Sequence, residues 1–168
     1  KNQYFGDIND YRLYGLLRVL SGSGEIGTAV CWMLTPDDDG GDGGFTEYLG
    51  QPKHWKRFDP ELFETLRNLV VDGGLRDVRR IEELGLLPSC RFYGAEVPDD
   101  KGKRARYFQR FWKMAEGSDL VFFDPDNGIE VRSTPIGRKG SSKYLYWHEL
   151  VHASSAGHSV LVFQYFPR

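Results

Sequence analysis

With 168 residues and a hydrophobic content of 40%, the chain is long enough to bury a core of its own, and its two cysteines exclude a disulfide framework. A net charge of −2 excludes attraction of nucleic acid or membranes by global charge, so only segregated charge can argue for either. No apolar run approaches the roughly 18 residues of a membrane span. The opening Lys1, Asn2, Gln3 and Tyr4 lack the regions of a signal peptide. The expectation is one soluble, cytoplasmic domain over residues 1–168 with no membrane partner, in which Cys31 and Cys90 are buried thiols.

The first predicted element is an amphipathic helix. Leu13, Leu16, Leu17 and Leu20 recur at helical spacing after Asp10, a good N-cap, and Gly22 and Gly24 end it. Residues 28–34 read as a buried strand. The following stretch, 35–44, is too rich in Asp and Gly for regular structure and is a functional loop or a disordered one. Asp59, Pro60 and Glu61 make a helix start, with a side-chain cap, a proline where no amide donor is needed and an acid at the positive end. Leu62, Phe63, Leu66, Leu69 and Val70 form its apolar stripe, and Gly73 stops it. Val78, Ile81 and Leu84 mark a short helix closed by Gly85.

Residues 90–97 read as a strand, and Phe108, Phe111, Trp112 and Ala115 as the stripe of another helix. Lys101, Lys103, Arg104, Arg106, Arg110 and Lys113 surround that stripe, which places them on its opposite or flanking faces. A four-residue apolar burst from Leu120 to Phe123 then stops at Asp124, Pro125, Asp126, Asn127 and Gly128. A loop carrying Arg138, Lys139, Ser141, Ser142 and Lys143 follows, then a helix over 144–153 and a strand over 159–166. Alternation of this kind specifies an α/β fold, a three-layer, mainly parallel sheet. The chain stops directly after its last apolar strand, as a sheet cut short would.

Three constellations can carry chemistry. In open parallel sheets ligands sit beyond the carboxyl ends of the strands, so Asp124, Pro125, Asp126 and Asn127 fall where catalysis is expected, although the same residues also suit a plain turn. A carboxylate there can orient an exocyclic base amine toward a methyl donor. The glycines and acids of the 35–44 loop can meet a nucleoside, but they lack the Gly-x-Gly-x-x-Gly and Gly-Lys-Ser/Thr patterns. The cations, hydroxyls and amides of the 138–143 loop suit a phosphate, and equally an exposed connection with a Ser cap. Trp147 and His148 read as packing residues. His54, His152 and His158 show no ligand spacing, so no metal is assigned to them.

Several segments together resemble the class I, Rossmann-like methyltransferases, and among them the nucleic-acid adenine-N6 methyltransferases of the 23S ribosomal RNA type. They are Gly6, Asp7 and Asp10 before the Leu-rich helix, the 28–34 strand with Glu47, Tyr48 and Leu49 beyond its loop, Asp124 to Asn127 in place of Asp-Pro-Pro-Tyr, and the last strand. The resemblance implies a methyltransferase-like core and S-adenosylmethionine held by Asp10, Thr35, Asp37, Gly40, Gly41, Asp42 and Gly43. It further implies RNA or DNA as partner, held by Arg138, Lys139, Ser141, Ser142 and Lys143, and Asp124 orienting the acceptor with Asn127 assisting. The chain departs from that pattern at Asn127, where the family has a base-stacking aromatic, at Leu13, where a cation is expected, and in lacking His-Ala-Gly after the first strand. Two other classes stay open: a metal-dependent nuclease using Asp124, Asp126 and Glu130, and a non-catalytic Rossmann-like nucleic-acid-binding module.

Overall fold

The computed structural model describes residues 1–38 and 44–164. The chain divides into two compact units, Lys1–Ser23 with Asp37–Pro88 and Gly24–Pro36 with Ser89–Arg168.

The first unit is helical. Helix α1 spans Ile8–Ser21, and its N-cap is Asp7, whose carboxylate accepts from the amides of Asn9 (2.8 Å) and Asp10 (3.0 Å). The expected cap, Asp10, instead lies in the first turn, where its Oδ2 accepts from the Gly6 amide and the Tyr14 hydroxyl, both at 2.9 Å. The buried face is also rotated from the leucine reading. Tyr11, Leu13, Tyr14 and Leu17 are buried, whereas Leu16 is 44% exposed. Tyrosines win that face because their hydroxyls find partners: Tyr11 donates to the Trp55 carbonyl at 2.9 Å, and its ring packs against Tyr48, Trp55 and Phe63.

Helix α2, Pro52–Trp55, precedes α3, Pro60–Arg67, which starts as expected with Asp59 accepting from the Leu62 amide at 3.1 Å. A wide turn, Asn68–Asp72, continues α3 to Gly73, and α4 follows at Arg79–Glu83 with Ile81 fully buried. Arg18 joins these helices by donating to Asp59 (2.7 Å), Glu61 (2.6 Å) and the Leu86 carbonyl (2.7 Å).

The second unit holds an α/β fold. Strands β1 (Thr28–Cys31), β2 (Cys90–Tyr93), β3 (Leu120–Phe123) and β6 (Ser159–Val162) form a four-stranded sheet of Rossmann-like order β2-β1-β3-β6, parallel throughout. Thr28 pairs with both Cys90 and Leu120, which brings the strand ends into line. Helices α5 (Lys101–Ala115) and α6 (Trp147–Ser155) pack on one face, where Ala29, Cys31, Val121 and Phe123 meet Tyr107, Phe108, Phe111 and Ala153. Val30, Trp32 and Phe122, pointing the other way, are buried as well.

The boundaries differ from the sequence reading for local reasons. β1 stops at Cys31 because Met33 takes a left-handed φ of 44°, after which a single bridge joins Leu34 to Glu96. The helix expected over 144–153 begins only at Trp147, because Tyr144–Leu145 forms β5, a short parallel partner of β4, Gly128–Ile129. The expected last strand runs into residues 165–166, outside the described ones. Cys31 is fully buried beside the Tyr107 hydroxyl (3.3 Å), whereas Cys90 is only half-buried, contrary to expectation. Among the described residues no helix is long and apolar enough to cross a membrane.

Candidate functional site

The chain places β2 on one side of β1 and β3 on the other, so the strand order switches direction between β1 and β3. Crevices at such switch points, beyond the carboxyl ends of the strands, are where parallel sheets take ligands. Asp124 extends the ladder one residue past β3, its amide donating to the Cys31 carbonyl at 3.0 Å, and it is half-buried. Pro125 is buried and Asn127 exposed. Asp126 is exposed only through its backbone: its side chain is 2% exposed.

The Asp126 carboxylate accepts from the Thr35 hydroxyl at 3.2 Å and pairs with the Lys143 ammonium at 3.6 Å. The Asn127 amide donates to the Lys143 carbonyl at 2.8 Å. Gly128 follows with a φ of 90°, and a Cβ there would collide with the Gln164 carboxamide, which accepts from the Ile129 amide at 2.8 Å. One residue from each sequence-derived set, Thr35, Asp126 and Lys143, therefore meets at the switch point.

The other assigned residues are placed as follows. Asp37 lies in the helical unit and accepts from the Gln3 amide at 3.1 Å; its neighbour Asp38 pairs with Lys1. Asp10 is in the same unit, engaged as described above. Gly40, Gly41, Asp42 and Gly43 lie outside the described residues.

In the 138–143 loop, Arg138 and Lys139 are exposed, and the Arg138 guanidinium donates to the Ser133 carbonyl at 2.6 Å. The amides expected to be free for an anion are taken. Gly140 and Ser142 donate theirs to the Asp99 carboxylate at 2.8 and 2.6 Å, and the buried Ser141 hydroxyl joins them at 3.2 Å. Burial alone would raise the Asp99 carboxyl, but the Ser142 and Gly140 amides and the serine hydroxyls outweigh it and hold it below its ordinary value.

A buried ion pair braces the same loop. Arg104, 2% exposed, donates to both oxygens of Glu149 (2.7 and 2.9 Å) and to the carbonyls of Ser141 (3.2 Å) and Tyr144 (2.7 Å). Its guanidinium lies over the Phe108 and Tyr146 rings, and Glu149 also accepts from the Tyr146 amide at 2.9 Å, capping α6. Arg104 is thus part of the core and not of a solvated face as expected.

Sequence reasoning missed Asp99, Arg104, Glu149 and Gln164. Arg104 and Glu149 carried signals: positions 104, 108, 111 and 115 share one helical stripe, and Glu149 stands three residues after Tyr146 at capping-box spacing. Asp99 and Gln164 act through long-range contacts that leave no local pattern.

Two other expectations change. Trp147 and His148, read as packing, are both exposed, and the exposed His152 ring lies tilted against Trp112 with ring centroids 4.6 Å apart. Glu130, the third acid of the nuclease reading, accepts from the Trp147 amide at 2.8 Å. Among the described residues no group of three His, Cys, Asp or Glu side chains is placed to hold a metal ion. No protein-family model matches the chain, and neither does any curated protein or solved structure.

Proposed function

We propose that this chain transfers a methyl group from S-adenosylmethionine to an exocyclic amino group of a base in RNA or DNA. One observation carries the reading: the run Asp124, Pro125, Asp126, Asn127 stands at the carboxyl end of β3, beside β1, at the switch in strand order. This is also the place that the resemblance to nucleic-acid adenine-N6 methyltransferases gives to the catalytic motif.

The described residues fit a nucleoside-bearing cofactor in part. Thr35 stands buried at the switch in strand order, with its hydroxyl donating to Asp126. Asp10 and Asp37 already accept hydrogen bonds inside the helical unit, and residues 40–43 lie outside the described ones. When bound, S-adenosylmethionine supplies an electrophilic sulfonium methyl.

The chain's own residues do the rest. Asp124, half-buried at the strand exit, accepts a hydrogen bond from the amine N–H and strips it of water. Pro125 fixes the backbone between the two acids, and Asn127 offers a neutral carboxamide to the substrate. Asp126 is a positioning residue that keeps the loops carrying Thr35 and Lys143 in place.

A second reading, a non-catalytic Rossmann-like nucleic-acid-binding module, is favoured by Asp126 itself, because an acid spent on Thr35 and Lys143 is what a structural latch requires. The test is transfer of labelled methyl from S-adenosylmethionine to RNA and DNA. Incorporation is expected, falling about 100-fold or more in Asp124→Ala, the order of loss for a misplaced acceptor. Nucleic-acid binding without any incorporation supports the module instead.

A further inference from the structure

Helix α5 carries a charge pattern that the proposed site does not use. Lys103, Arg106, Arg110 and Lys113 are all exposed and follow one another at spacings of three and four residues, so they form one stripe along the solvent side of the helix. At about 1.5 Å per residue the stripe is roughly 15 Å long, which matches about four phosphates of one nucleic-acid strand at about 3.4 Å of axis each.

These cations differ from those elsewhere in the fold that are neutralised by an acid. Arg18, Lys56, Arg67, Arg79, Arg80, Arg104 and Lys143 each lie against a carboxylate. Among the described residues none of the four stripe cations does. The acids that precede the helix offer no neutralisation either: Asp99 is spent on the 140–142 loop, and Asp100 caps α5 by accepting from the Lys103 amide at 2.8 Å.

We propose that the exposed face of α5 docks the sugar-phosphate backbone of nucleic acid, with Lys103, Arg106, Arg110 and Lys113 each neutralising a phosphate. The proposal takes its class of partner from the function proposed above and adds the surface. A lipid surface fits poorly. The apolar face of α5, Tyr107, Phe108, Phe111 and Ala115, is buried in the core and cannot enter a bilayer as an interfacial helix must. Phosphate contacts need no apolar partner, only cations held in register. The register is held: the stripe is built on a helix whose first turn is bolted to the 138–143 loop through Asp99 and Arg104. Arg138 and Lys139 therefore lie on a loop fixed to the same end of α5, so a backbone followed along the stripe leads toward them.

The test compares three forms of the whole chain in binding short labelled RNA and DNA duplexes between about 50 and about 200 mM salt. They are the wild type, a stripe variant (Lys103→Gln, Arg106→Gln, Arg110→Gln, Lys113→Gln) and a loop variant (Arg138→Ala, Lys139→Ala), each checked for unchanged circular dichroism. At about 0.9 per phosphate the stripe variant is expected to lose about 3.6 from the salt slope, so that a fourfold rise in salt weakens the wild type about 150-fold more than the variant. A stripe variant with the wild-type slope, alongside a loop variant whose slope falls, overturns this inference and leaves the nucleic-acid reading standing. A wild type that binds neither duplex, or binds only vesicles of phosphatidylcholine and phosphatidylserine, overturns both.

Discussion

Replacing Arg104 by methionine removes a cation that is 2% exposed and donates four hydrogen bonds, at 2.7, 2.9, 3.2 and 2.7 Å. What remains is Glu149, 4% exposed, with its charge opposite an apolar side chain and only the Tyr146 amide still donating to it at full strength. The Tyr144 carbonyl loses the guanidinium as donor as well, and the Ser141 carbonyl is left with the Tyr144 amide. Breaking a buried pair on one side costs about 3–5 kcal/mol, because the surviving charge stays desolvated. With a urea slope of about 2 kcal/mol per molar, a loss of about 4 kcal/mol lowers the unfolding midpoint by about 2 M. The companion variant Arg104→Met with Glu149→Gln removes both charges and is expected to recover part of that loss, since the uncompensated ion is gone. Urea titrations followed by tryptophan fluorescence measure all three. A single variant within about 1 kcal/mol of the wild type, or a double variant no more stable than the single, would refute the reasoning that this pair braces the loop from inside the core.

The Asp99 carboxyl is held below its ordinary value, so its stabilisation of the loop is complete above the usual aspartate range of about 3.9 and is lost as pH falls through the lowered folded value. Amide resonances of Gly140 and Ser142 are expected to move only in that acid range, and in Asp99→Ala to show the released position already at neutral pH; wild-type amides that move near neutrality contradict this. Gly128→Val puts a β-branched residue at a φ of 90° against the Gln164 carboxamide. It is expected to cost about 2–3 kcal/mol in denaturant titration from backbone strain and a weakened hydrogen bond, and a neutral outcome would place Gln164 elsewhere. Burial pushes the Cys31 thiol up to about 12, so in native protein a maleimide is expected to label Cys90 first and Cys31 only on unfolding, as read by mass spectrometry; early labelling of Cys31 contradicts its burial.

The parts of the fold that could be read from sequence are those whose signal is local. The Leu120–Phe123 burst, bounded by Asp119 and Asp124, is too short for a helix and reads as a buried strand, and Asp59, Pro60 and Glu61 ahead of an apolar stripe read as a helix start. The misplaced features depend on contacts far along the chain. Asp7 and Asp10 stand three residues apart, both able to cap α1, and the bonds from Gly6 and Tyr14 commit Asp10 elsewhere. Arg104 reads as one cation in a basic stretch until Glu149, Ser141 and Tyr144 arrive from beyond β3 to surround it.

The site shows the same division. Its position after β3 follows from the apolar run and the acids that end it. The pairing of Asp126 with Thr35, 91 residues earlier, follows only from the parallel register of β1 and β3. Nor does any local signal mark the division into units, because the chain lends residues Gly24–Pro36 to the sheet and then returns to the helical unit at Asp37.

The most direct measurement of the central claim is calorimetric titration of the chain with S-adenosylhomocysteine, the demethylated product of the cofactor. Saturable binding is expected for the wild type and for Asp124→Ala, which alters the acceptor side alone. Gly41→Val, which puts bulk into the loop assigned to the ligand, is expected to abolish it. No heat of binding to the wild type at millimolar ligand would contradict methyl transfer and leave the switch-point crevice to a module that binds nucleic acid without chemistry.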